Sequence, residues 1–112
     1  MKGFRLCVKH LFLTYPNLDK GLNEVLEAIK DKLPGVINYV VCKEAHKSGE
    51  KHIHVYLELS KAHDVKSERY LDIFEVHGNY TKARNIRSSI RYLTKEGEFI
   101  TSFPTYNNEI VT

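Results

Sequence analysis

Apolar and polar positions change period several times along the chain, and each change marks an element. Phe4 to Leu13 is dense in apolar and aromatic residues and closes at Tyr15-Pro16. That predicts a strand ended by a proline, which cannot donate to a ladder. Leu22, Val25, Leu26, Ile29 and Leu33 then recur at three and four residues, one apolar stripe of a helix. Asp19 is placed to cap it, and Pro34-Gly35 to stop it. Val36 to Glu44 reads as a second strand, followed by Lys47-Ser48-Gly49, with glycine where a three-residue hairpin loop needs a left-handed backbone. The returning strand, His52 to Leu59, alternates strictly. Ile53, Val55, Leu57 and Leu59 point one way and His52, His54, Tyr56 and Glu58 the other.

Residues 60 to 72 are charged and predict a short helix at most. Ile73–Val76 and Asn79–Lys82 predict extended chain. Asn85 is placed to cap a second helix running to about Glu96, with Ile86, Ile90 and Leu93 as its buried stripe. Phe99 to Phe103 supplies a last strand, and the polar tail Thr105 to Thr112 is expected to fray. This order predicts an α+β fold, an antiparallel sheet with helices packed on it.

The 112 residues fit one hydrophobic core, so the expectation is a single domain over 1–112. With 42% hydrophobic and 28% charged residues the chain can bury that core and lacks the balance that keeps a segment disordered. No apolar run approaches a membrane span and no signal-type stretch follows Met1, so a soluble, intracellular protein is expected, with no membrane partner. Cys7 and Cys42 lack CxxC spacing and are expected to be reduced core thiols. A net charge of +3 identifies no partner by itself. Its distribution says more: between Val76 and Lys95 there is no Asp or Glu, while Lys82, Arg84, Arg87, Arg91 and Lys95 all fall there. Something anionic could lie along that stretch, or it could be a solvated face with acidic neighbours from elsewhere.

His52 and His54 leave the same face of one strand, so their imidazoles can converge on a cation. A three-residue hairpin loop sets Glu44 across from His52, and a five-residue loop sets it across from His54. Either register keeps the carboxylate on the histidine face. Two imidazoles and a carboxylate with open positions suit a catalytic divalent cation: zinc, manganese or, less readily, magnesium. On the second helix Tyr92 and Lys95 form an i, i+3 pair off the apolar stripe. A phenol with a pKa near 10 needs an activating partner to attack at neutral pH; a surface Tyr beside a surface Lys is the plainer alternative. No GxxxxGK[ST], GxGxxG or GxSxG is present, which excludes a P-loop ATPase, a dinucleotide fold and an esterase elbow.

Three stretches in order resemble the rolling-circle replication initiators, the Rep proteins of geminivirus-like circular single-stranded DNA viruses and related plasmids, within the HUH endonucleases. Phe12-Leu13-Thr14-Tyr15-Pro16 resembles their first motif, His52-Ile53-His54 their HUH metal motif and Tyr92-Leu93-Thr94-Lys95 their YxxK motif. Cys42-Lys43-Glu44-Ala45-His46 resembles the segment that supplies the acidic ligand.

The resemblance implies a central five-stranded antiparallel sheet with flanking helices, RRM-like or ferredoxin-like. It implies an endonuclease that nicks and rejoins a single-stranded origin hairpin loop through a 5′-phosphotyrosine on Tyr92, leaving a free 3′-OH. Glu44, His52 and His54 would hold the metal, with Mn2+ or Mg2+ as the expected cofactor, and Lys95 would position the phosphate or phenolate. For DNA contact the candidates are Arg5, Lys9, Tyr15, Asn79, Tyr80, Lys82 and Arg84, through backbone charge and base stacking. Family members continue into a helicase domain, so such a domain and an oligomer are expected of a full-length protein. The host nucleus is expected for a virus, the cytoplasm for a bacterial plasmid. The alternatives are an RRM-like binder in which these residues only touch bases, and a hydrolase in which metal-bound water attacks.

Overall fold

One long strand organises the molecule. In the computed structural model, which describes residues 3–95, 98–106 and 109–111, β3 (Lys51–Val65) pairs with β2 (Val36–Ala45) on one side and β1 (Leu6–Tyr15) on the other, both antiparallel. β4 (Asn79–Lys82) adds to the far edge of β1 and β5 (Glu98–Thr101) to the far edge of β2. The five-stranded order is β4-β1-β3-β2-β5. The α+β fold with a central antiparallel sheet is thus the architecture observed.

Each sheet face carries its own core. Leu11, Leu13 and Tyr15 of β1 and Ile53, Val55, Leu57 and Leu59 of β3 point to one side and are covered by α1 (Leu22–Lys30). Its stripe of Leu22, Val25, Leu26 and Ile29 is buried, as is Leu33 beyond its end. At roughly 1.5–3 kcal/mol for each large aliphatic side chain removed from water, this face supplies most of the apolar burial. Gly35, at φ 77, turns the chain into β2. The opposite face holds a smaller cluster of Val40, Cys42, Tyr56, Ala83, Ile90 and Leu93 beneath α2 (Ile86–Lys95). A strand face that looks polar in sequence is therefore half covered: Tyr56 is buried, its hydroxyl 2.9 Å from His10 Nδ1.

Several expectations are corrected. Asp19 does not cap α1. The N-cap is Gly21, whose N–H is met by the Glu24 carboxylate at 3.2 Å, while Asp19 lies between Lys43 and Lys51 at 3.2 and 3.6 Å. No helix forms over residues 60–72: β3 continues to Val65 and pairs with Leu6–Val8 beyond an irregularity, because β1 still offers unpaired backbone there. Ile73–Val76 is a tight turn, with Phe74 and Glu75 at φ 50 and 61 and a bridge between its end residues. Ile86, at the start of α2, is exposed, leaving Ile90 and Leu93 as the buried stripe. The expected last turn at Glu96 lies outside the described residues. The tail pairs instead of fraying: β6 (Thr105–Tyr106) and β7 (Glu109–Ile110) form a two-stranded ribbon. Cys42 is buried and burial pushes its thiol up to about 11, whereas Cys7 is exposed and is not the core thiol expected.

Candidate functional site

The β2–β3 hairpin and α2 build the site together. At the hairpin tip the N–H of His46 donates to Glu50 O at 2.8 Å and Gly49 takes φ 90, so three residues close the loop and Glu44 lies across from His52. Register alone would then join Glu44 to His52. The twist of the ribbon favours one diagonal instead. His54 Nε2 lies 3.2 Å from Glu44 Oε2, and by the same diagonal the ring of His52 lies against that of His46 with centroids 4.1 Å apart. His46 Nε2 faces the other oxygen, Glu44 Oε1, at 3.8 Å, and His52 Nε2 faces Glu50 at 3.7 Å.

Asn85 caps α2, its Oδ1 accepting from Ser88 N–H at 3.0 Å, and this orientation carries Tyr92 over the hairpin. The Tyr92 hydroxyl donates to Glu44 Oε2 at 3.5 Å, and its ring meets that of His54 edge-on with centroids 5.8 Å apart. Tyr92 is 55% exposed, so a substrate can reach it. Lys95 is exposed one turn further on and makes no ion pair among the described residues.

His54 is the buried polar side chain of this face. Burial holds its imidazole below the ordinary pKa; Glu44 opposes that shift, and the charges of His52 and His46 add to it. A neutral ring keeps a lone pair for a cation. Glu44, His52 and His54 offer one hard oxygen and two imidazole nitrogens, a donor set that suits a divalent ion. As the side chains stand, Glu44 and His54 are together, but among the described residues no three His, Cys, Asp or Glu side chains are arranged to hold a metal. His52 is the member turned aside.

Beside this cluster the sheet is open. A groove between α2 and the β1–β4 edge is lined by Phe12, Thr81, Lys82, Arg84, Asn85 and Ser89. Phe12 lies within reach of the cluster, 6.3 Å between its ring centroid and that of His54, and Thr14 Oγ1 approaches His54 Nδ1 at 3.4 Å.

The candidates for DNA contact divide. Lys82 and Arg84 are exposed at the groove, and Asn79 is exposed beside Thr14. Tyr15 and Tyr80 are corrections as stacking residues: both are buried and have no ring face for a base. Tyr15 gives its hydroxyl to Leu71 O at 2.7 Å and Tyr80 to Asp72 Oδ1 at 2.7 Å. Arg5 pairs with Asp64 at 3.1 Å at the end of β1 remote from Thr14, about 30 Å away at the usual strand rise. Lys9 is exposed at the β1–β3 irregularity. The sequence reading missed His46, Phe12, Thr14, Asn85 and Ser89 as neighbours of the site. His46 could have been found, because it continues the alternation through Glu44 to the loop. The others depend on β1 and α2 meeting the hairpin, which no local spacing encodes.

Comparison with known proteins gives one family and several relatives. The family model for the Geminivirus Rep catalytic domain matches residues 4–107. The chain is similar to the replication-associated protein A of Chloris striate mosaic virus, 35% identical over 99 residues, covering 87% of this chain and 34% of that protein. It is also similar to the replication-associated protein of Cabbage leaf curl virus (isolate Jamaica), 31% identical over 110 residues, covering 90% of this chain and 32% of the relative. The replication-associated protein A of Tobacco yellow dwarf virus (strain Australia) is 29% identical over 102 residues, covering 89% and 35%. The chain spans about a third of the length of these relatives.

Proposed function

Because the chain belongs to the geminivirus Rep catalytic domain family, we propose that it nicks and rejoins single-stranded DNA at the loop of a replication-origin hairpin, with Tyr92 as the nucleophile. The observation that carries this reading is the position of Tyr92: its hydroxyl is 3.5 Å from Glu44 and its ring edge lies on His54. The phenolic oxygen attacks phosphorus, the bond from phosphorus to O3′ breaks, and the product is a 5′-phosphotyrosine with a free 3′-OH. The phenolic proton passes to solvent water, and the departing 3′ oxygen gains one from solvent. Phosphodiester energy is retained in the tyrosyl ester, so the reverse reaction rejoins DNA without ATP.

Glu44, His52 and His54 would hold a divalent cation, Mn2+ or Mg2+, whose charge when bound polarises the scissile phosphate. His52 must leave Glu50 to join them. Lys95, one helical turn from Tyr92, steadies the phosphate or the phenolate. The whole protein's arrangement belongs to the same proposal: a helicase segment, an oligomer at the origin and action in the host nucleus.

The test uses labelled stem–loop DNA with a randomised loop, Mn2+ and a denaturing gel. The expected product is a shifted covalent band that Tyr92→Phe abolishes. Cleavage without a shift would mean hydrolysis by water, and neither would leave a binding module. His52→Ala and His54→Ala are expected to remove cleavage while DNA binding persists; unchanged cleavage would reject the cation set.

A further inference from the structure

The Asp19 carboxylate does not serve the helix that follows it, and its two partners stand behind the proposed cation ligands. Asp19 Oδ1 accepts from Lys43 Nζ at 3.2 Å, and Asp19 Oδ2 faces Lys51 Nζ at 3.6 Å. Lys43 precedes Glu44 in β2, Lys51 precedes His52 in β3, and Glu44 and His52 are register partners. Successive residues of a strand point to opposite faces, so both ammonium groups leave the hairpin on the side away from the carboxylate and imidazoles. The loop that carries Asp19 is braced there as well. After a turn with Asn17 at φ 54, the N–H of Leu18 donates to Lys51 O at 3.0 Å.

Two lysines behind a divalent site work against it. The Lys43 side chain is 15% exposed, so water screens its charge poorly, whereas that of Lys51 is 43% exposed. A lysine side chain reaching back from one face and a ligand reaching out from the other put each ammonium roughly 10 Å from a bound cation, within the Debye length at 0.1 M salt. At that range one unit charge changes the affinity for a divalent ion by about two- to fourfold in low salt. Asp19 is the acid in ion-pair contact with both lysines among the described residues. Glu98, the register partner of Lys43 on β5, makes no ion pair with it. The hydrogen bond from Lys43 and the charge of Lys51 hold the Asp19 carboxyl below its ordinary value, so it is ionised at neutral pH. Two ammonium groups against one carboxylate leave a net charge of +1 behind the hairpin.

We propose that Asp19 is a positioning residue of the cation site: it holds Lys43 and Lys51, offsets their charge behind Glu44 and His52, and so raises the affinity of the ligand set for a divalent cation. The inference deepens the nicking reading and rests on Glu44, His52 and His54 holding that cation. Asp19 acts on the site through charge and the two lysines, without touching a ligand.

The test is a charge ladder read by the binding of Mn2+ alone, without DNA, followed through the electron paramagnetic resonance signal of the free ion in about 20 mM salt. Asp19→Asn raises the charge behind the hairpin by one and is expected to weaken Mn2+ binding by about two- to fourfold. Lys51→Gln lowers that charge by one and tightens binding by a similar factor. The double variant Asp19→Asn with Lys51→Gln restores the parent charge and the parent affinity, and Asp19→Glu keeps both. These differences shrink in about 0.5 M salt, where the Debye length is shorter than the separation; a loosened hairpin would show no such recovery. Equal affinity across the ladder, or an Asp19→Asn loss that persists in the double variant and in high salt, overturns the proposal. A ladder that holds in a chain forming no tyrosine adduct keeps this role of Asp19 and loses the nicking reading. A chain that forms the adduct with Mn2+ affinity unchanged in Asp19→Asn loses this role alone, and a parent that binds no Mn2+ removes the cation set and this role with it.

Discussion

Tyr80 shows how one side chain that looks suited to contact can be committed to structure. Its hydroxyl donates to Asp72 Oδ1 and accepts from the Gly78 N–H at 2.9 Å, and its ring lies against Tyr15 with centroids 5.5 Å apart. Burial pushes both phenols well above the ordinary value for tyrosine, so both stay neutral donors. Asp72 also meets His77 Nδ1 at 2.7 Å and Arg69 at 3.5 Å. Desolvation would raise this carboxyl, but the hydrogen bonds from Tyr80 and His77 and the nearby positive charges outweigh it, and the net shift is downward. A carboxyl lowered in the folded state contributes stability that is present above its unfolded pKa, about 3.9, and disappears as pH falls through the folded value. Asp72→Asn is therefore expected to lower stability by about 1 kcal/mol at pH 7, with the gap to the parent closing as the pH is taken below 3. Melts at both pH values check this, and a gap independent of pH would show that the charge of Asp72 contributes nothing.

Among the elements, the hairpin was legible in the sequence and the contacts of β1 were not. Three residues with glycine third fix the β2–β3 register locally, which is why Glu44 falls across from His52. Gly49 takes φ 90 with open space around it, so Gly49→Ala meets no neighbour and suffers only backbone strain. A loss of about 1 kcal/mol is expected, and less for Gly49→Asn, in denaturant titration; equal stability would mean that the loop relaxes without cost. The pairing of β1 with both β3 and β4 joins residues 38 or more positions apart, so neither the groove nor the contact of Thr14 with His54 could be read from spacing. Charged residues 60 to 65 fail as a helix for a related reason: a strand with one exposed face tolerates Lys61 and Asp64, and tertiary pairing overrides the local pattern. Asn85 was legible because a cap is local. Asn85→Ala is expected to cost about 1 kcal/mol and to slow formation of the tyrosine adduct, because the cap orients the helix that carries Tyr92. An unchanged adduct rate in a destabilised variant would separate helix stability from positioning.

At the scale of the molecule the sheet divides two tasks between its faces. The α1 face holds the larger apolar core, while the α2 face gives up part of its burial to keep a groove, His46, His52 and an exposed phenol accessible. Charge follows the same division, since the stretch with no acid runs along β4 and α2 and includes Lys82, Arg84, Arg87, Arg91 and Lys95. If all five cations meet phosphates of a single strand, each releases condensed counterions, and the slope of log affinity against log salt is expected to be about −3.5. Binding of a labelled oligothymidylate between 50 and 300 mM salt measures it. A slope near −1.5 would leave only Lys82 and Arg84 at the groove in contact, with the outer face of α2 turned to solvent. A flat response would mean that the basic stretch does not face DNA at all, and the path of the strand along α2 to Tyr92 would have to be abandoned.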